Sequence, residues 1–177
     1  MSMNKMMVAA ALVAAVSTRA IAQSPTVTLL DYRTTVPAGW TPRTPSSNMR
    51  LAEYVVAPTD AGAAEVVVYF FGKGQGGTVA ANLERWKGQF STPDGSPVPE
   101  VVTRDSTAGF PITFAEYRGT YARGVGAGDA SQAKPGQMLF AGIAETPRGT
   151  MFIQMFGAQA RVAAERETFK RFVSGLK

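Results

Sequence analysis

One stretch of this sequence is laid out as a ligand loop: Gly72-Lys73-Gly74-Gln75-Gly76-Gly77, followed by Thr78. It fits the G-x-G-x-x-G pattern, in which glycines let the backbone approach a pyrophosphate at a helix N-terminus. Asp94 stands about 20 residues beyond, where an acidic ribose ligand would be sought. The surroundings argue against dinucleotide chemistry, which needs repeated βαβ units around a parallel sheet. Asp94 falls in Ser91-Thr92-Pro93-Asp94-Gly95, a turn and not a strand end. A Walker loop is excluded too, because Gly-Lys stands at the start of the glycines instead of before a final Ser or Thr. Two readings remain open. The glycines let the chain leave a buried strand and reverse into a helix, or the free N–H groups at the helix start, with Lys73 beside them, hold an anion. The second makes Lys73, Gly74, Gln75, Gly76, Gly77 and Thr78 candidate binding residues, joined by Asn82 and Arg85 on the helix that follows. The competing role for Asn82 and Arg85 is a local hydrogen-bond network between positions three apart.

Other chemistry is limited by what the chain lacks. With no cysteine and no histidine, neither a zinc site of the usual kind nor a Ser–His or Cys–His nucleophile is available. Acid–base work would fall to Asp, Glu, Lys or Tyr. Asp31, Glu53, Glu116 and Glu145 lie on expected strands, and no spacing pairs any two of them. A hydrolase would need two such carboxyls within reach in one cleft. No D-x-D-x-D-G loop offers an oxygen cage for calcium. The expectation is a protein that is not an enzyme and carries no metal or cofactor. Trp86 shares a helical face with Val79, Leu83 and Phe90 and is assigned to the core. Trp40, in the turn Pro37-Ala38-Gly39, is read as a plug at the core edge instead of an exposed binding ring.

The elements that must position these residues follow from pattern. Thr26–Val36 is β-prone, Thr41–Asn48 is a loop or edge segment, and Met49–Ala57 is a strand ended by Pro58. Glu65–Phe71 (EVVVYFF) is the strongest strand, apolar on both faces and therefore covered on both. Thr78 caps a helix over Val79–Phe90. Strands are expected over Glu100–Ser106, Pro111–Ala122, Gln137–Thr146 and Thr150–Gly157, with Arg123–Gly136 a long polar connection. A last helix, about Arg161–Gly175, has the apolar stripe Val162, Phe169, Phe172, Val173 and Leu176. Its basic flank of Arg161, Arg166, Lys170 and Arg171 is read as a solvated face. Short turns between the later strands require antiparallel pairing.

The N-terminus adds a compartment. Lys5 precedes the uncharged apolar run Met6–Val16, and Ala20-Ile21-Ala22 offers the small residues that signal peptidase requires. The run is shorter than the roughly 20 residues of a spanning helix. Residues 1–22 are therefore expected to be a cleaved signal, and 23–177 one domain without a stable membrane anchor. Lys5 and Arg19 leave with the signal, so the formal charge of +5 overstates the working protein's basicity. No long Lys/Arg run marks a nucleic-acid footprint.

The block Tyr69 to Trp86, with Gln89-Phe90, resembles a group of uncharacterised exported bacterial proteins that share a Gly-Gln-Gly-Gly loop and an Asn-x-x-Arg-Trp helix. The resemblance extends to Pro111–Tyr121, Met138–Thr146 and the final helix. More distantly, the element order resembles the PsbP-like fold of photosystem accessory proteins and its Mog-like relatives. That resemblance implies an α+β, α/β/α sandwich with an antiparallel sheet, and a binding or assembly role without catalysis. The expected protein is thus a periplasmic or secreted binding domain. Its partner is an unknown envelope protein or a small anionic ligand, not nucleic acid, and the alternative is an anion-binding role for the Gly72–Gly77 loop.

Overall fold

The computed structural model describes residues 25–122 and 133–177. The expected signal segment, and most of the connection expected over Arg123–Gly136, lie outside those residues. A small hairpin comes first, β1 (Thr26–Leu29) with β2 (Tyr32–Thr35). The main sheet follows: β3 (Trp40–Arg43), β4 (Arg50–Thr59), β5 (Gly62–Phe70), β6 (Phe90–Ser91), β7 (Glu100–Asp105), β8 (Ile112–Tyr121), β9 (Lys134–Thr146) and β10 (Gly149–Ala158). Its order is β3-β4-β5-β10-β9-β8-β6, and β7 lies beside β6 along the outer edge of β8. All its pairings are antiparallel. Helix α1 (Val79–Lys87) enters between β5 and β6, and α2 (Gln159–Ala164) and α3 (Arg166–Ser174) end the chain. This is an α+β fold, as expected from the element order.

Alternation along the central strands divides the interior into two layers. Met138, Phe140 and Ala144 of β9 join Val66, Val68, Ile153 and Met155 under α2 and α3, where Val162, Phe169, Phe172, Val173 and Leu176 pack. Leu139, Ala141 and Ile143 of the same strand face the other way, into a second layer with Trp86 of α1, Phe90, Tyr117 and Phe152. A central strand with apolar side chains on both faces is stable only if both faces are covered. Burying a large apolar side chain contributes about 1.5–3 kcal/mol, so each layer holds its helices firmly.

Several boundaries differ from expectation. Strand β4 runs through Pro58, which sits where the β4–β5 register shifts between Val56 and Thr59. A bulge tolerates the missing N–H. Part of the proline-rich segment forms the edge strand β3, with Pro42 on it, in line with the loop-or-edge reading of that stretch. Helix α1 stops at Lys87 with Gly88 as its cap, and Phe90 belongs to β6, bonded to β8. The single final helix is interrupted at Glu165. Its basic flank is not a uniformly solvated face. Arg161 is buried, with Nε donating to Ala57 O at 3.0 Å and Nη1 to Glu165 Oε1 at 2.8 Å. Arg166 pairs with Glu116 and lies over the Phe140 ring. Trp40 is 5% exposed against Tyr54 and Phe172, and its Nε1 donates to Glu165 Oε2 at 3.3 Å. It closes that end of the layer.

Candidate functional site

The Gly72–Gly77 loop leaves β5 and turns back into α1. Gln75 N donates to Gly72 O at 3.1 Å, closing a tight turn. Gly76 has φ +91°, and a Cβ there would lie 2.5 Å from the Phe152 ring. Both the backbone angle and the contact require glycine. Thr78 caps the helix as expected, its Oγ1 accepting from Ala81 N at 3.1 Å. Asn82 is buried, and its Nδ2 donates to Gly76 O and Thr78 O, each at 2.8 Å. Arg85 Nη2 in turn donates to Asn82 Oδ1. The Asn82 carboxamide is thus spent on holding the loop to the helix, while Lys73, Gly74, Gln75, Gly77 and Thr78 are exposed around it. The structure joins Asn82, Arg85 and Gly76 into one network. It brings neither the Lys73 nor the Gln75 side chain into a hydrogen bond or ion pair with them.

Of this group only Arg85 reaches the concave surface next door. Helix α1 is short, and beyond Gln89 no helix among the described residues covers the sheet face it packs on. Two adjoining depressions lie there, of about 240 and 300 Å³. They share Tyr69 of β5, Gln89, Tyr121 of β8 and Gln154 of β10 as walls. Arg85 borders one end, and Glu65, Lys134 and Phe156 the other. The walls are aromatic and mutually braced. The Tyr121 and Phe156 rings are 4.4 Å apart, Phe90 stands 5.3 Å from Tyr121, and Tyr69 stacks on Phe71 at 6.0 Å. Arg50 lies over the other flank of Tyr69, 5.3 Å from its centroid. Among the described residues the carboxamides of Gln89 and Gln154 and the ammonium of Lys134 have no side-chain hydrogen bond or ion pair.

Sequence reasoning missed Tyr69, Gln89, Tyr121 and Gln154 as site residues. The signal was in β10, where Gln154 is the one polar side chain in Met151-Phe152-Ile153-Gln154-Met155-Phe156. A carboxamide at an alternating position of a central strand marks a place where the covering layer is open.

Two carboxylates elsewhere, Glu53 and Glu100, hold neighbouring elements together. Glu53, 3% exposed, accepts from Ser46 N at 2.6 Å, Ser46 Oγ at 2.8 Å and Arg50 Nη1 at 3.0 Å. The Ser46 backbone bond is the largest influence holding its carboxyl below the ordinary glutamate value. Glu100 accepts from Lys87 Nζ at 3.0 Å and Tyr117 Oη at 2.9 Å, which lowers its pKa. Burial, with that same carboxylate, pushes the Tyr117 phenol up. Among the described residues no three acidic side chains gather where a metal ion could be held. No helix among them is long and apolar enough to cross a membrane.

No protein-family model matches the chain, and no curated relative matches it in sequence. Solved structures do match its fold. A mutant form of the protein Mog1 superposes with a TM-score of 0.52 at 10% identity, covering 88% of this chain and 95% of that one. The solution structure of cyanobacterial PsbP (CyanoP) from Synechocystis sp. PCC 6803 superposes with a TM-score of 0.53 at 12% identity, covering 92% and 98%. The chain therefore has the fold expected from its element order. At these identities the likeness concerns fold alone.

Proposed function

We propose that the protein is an exported, non-catalytic binding or accessory domain whose partner lies along the aromatic groove beside α1. The observation that carries this reading is the pair of uncommitted carboxamides, Gln89 and Gln154, set between the rings of Tyr69 and Tyr121. Carboxamides offer a donor and an acceptor each, which matches the N–H and C=O of an extended polypeptide. Rings supply apolar area and little entropy to lose. The elongated, open shape suits a segment of an envelope protein better than an enclosed small molecule. The signal-like N-terminus supports a periplasmic or secreted location, and the shared fold is consistent with an accessory role.

Selection from a displayed peptide library tests it. Enriched peptides should lose binding at least tenfold with Gln154→Ala and with Tyr121→Ala, and keep it with Lys170→Ala on α3. No enrichment over scrambled sequences, or peptides indifferent to both groove variants, would overturn it. The alternative, an anion held at the Gly72–Gly77 loop, draws support from exposed Lys73 and from Arg85. Phosphate and sulfate raising the melting temperature in a Lys73-dependent way would favour that alternative instead.

A further inference from the structure

Strand β7 is the barest element of the sheet. Glu100 to Arg104 are all exposed, Val101 and Val102 at 47% and 43%. One edge pairs with β8, from Glu100 opposite Tyr117 to Asp105 opposite Ile112. The other edge pairs with no strand among the described residues. Edge strands invite further pairing unless proline, unpaired charged side chains or a bulge blunts them. At the far side of the sheet, β3 carries Pro42, which has no N–H to offer. The sequence of β7, Glu-Val-Val-Thr-Arg-Asp, has no proline and pairs with β8 without a bulge, and its charges are of both signs, so a copy in the right register can pair them. Both of its ends are clamped instead. Glu100 bonds to Lys87 of α1 on one face, and Asp105 bonds to Ser174 of α3 on the other. The strand is therefore fixed at both ends, with a row of backbone groups on its outer edge.

We propose that β7 is the pairing edge for a second copy of this chain, antiparallel about a two-fold axis through Val102. A two-fold normal to the sheet keeps each face on its own side, so opposed residues must have the same parity. The register centred on Val102 sets Val102 against its own copy, Val101 against Thr103, and Glu100 against Arg104 on both sides of the axis. Opposite charges directly across neighbouring strands attract. Arg104 has no ion pair within its own chain among the described residues, so it is available. Centring on Thr103 instead sets Val101 against Asp105 and Val102 against Arg104, which loses both charge pairs and the apolar pair. A five-residue pairing buries well under the roughly 1,200–2,000 Å² of stable complexes. The dimer is thus a weak, exchanging one.

Sedimentation equilibrium of the purified protein, from about 10 μM to about 1 mM, tests this. A monomer–dimer equilibrium is expected. Arg104→Glu and Glu100→Arg should each weaken it at least tenfold, because like charges then oppose each other twice. An equimolar mixture of the two variants should associate again, since every opposed pair is once more Arg against Glu. Val102→Lys sets two ammonium groups across the axis and should also weaken the dimer, leaving the bonds of Glu100 to Lys87 and Tyr117 untouched. Should Glu100→Arg fail to fold, Arg104→Glu and Val102→Lys decide the matter. A protein that stays monomeric throughout would overturn the proposal. So would a dimer indifferent to Arg104→Glu and Val102→Lys, or two folded charge variants that do not associate when mixed.

Discussion

Ser174 Oγ donates to Asp105 Oδ2 at 2.5 Å, joining the end of the last helix to the end of an edge strand 69 residues earlier. The other Asp105 oxygen accepts from Thr107 N at 2.8 Å and from Thr107 Oγ1 at 2.5 Å. With so many donors the ionised form is favoured. The Ser174 bond is the largest influence, and the carboxyl is pulled from its ordinary 3.8 down to about 2.

A depressed folded-state pKa gives a definite sign. Asp105 contributes its stability in full above the ordinary aspartate value and loses it as pH falls towards about 2. Asp105→Asn should therefore lower stability by about 1–2 kcal/mol at neutral pH. It should also flatten the loss of stability between about pH 4 and pH 2. Urea denaturation across that range checks both. A variant with the wild-type acid limb would show that the carboxylate is solvated in the folded protein.

Asn82 offers a sharper comparison, because its two donors face two carbonyls. Asn82→Ala should cost about 2 kcal/mol through the loss of both bonds in a buried place. Asn82→Asp replaces the donors with a charge pointed at the Gly76 and Thr78 oxygens and should cost at least as much, despite Arg85 alongside. Thermal unfolding ranks the two. Faster amide exchange confined to the loop and the first turn of α1 would mark the region affected.

Glu53 anchors the loop between β3 and β4. Glu53→Ala strips the Ser46 N–H of its acceptor and Arg50 of its partner. A loss of about 3 kcal/mol is expected. Ser46→Ala removes only the hydroxyl bond and should cost roughly 1 kcal/mol. Equal losses would mean that the carboxylate's backbone bond carries little of the total.

What the sequence disclosed was whatever local physics decides. The Thr78 cap was legible because capping depends on neighbouring N–H groups, and the apolar stripe of α3 because its spacing is intrinsic to a helix. The end of α1 was not. Phe90 fits a continued helical face, yet as the start of β6 it still enters the layer of Trp86, so the apolar pattern alone does not separate the two. Glu165, where the final helix is interrupted, bonds to Trp40, 125 residues away, and the buried Arg161 bonds to the Ala57 carbonyl, 104 residues away. The groove was hidden for a related reason. Whether Gln154 faces a helix or an opening depends on where α1 stops, a fact of tertiary structure and not of β10.

The division of the interior into two layers also distributes the indoles. The chain has two tryptophans, and the sheet separates them. Trp40 packs with Tyr54 and Phe172 on the side of α3, and Trp86 packs with Phe152 on the side of α1. Each layer thus carries its own fluorophore. In a Trp40→Phe protein the emission reports on the α1 side alone, and in a Trp86→Phe protein on the α3 side alone. The molecule is in effect labelled by its own composition for watching whether its two halves melt together.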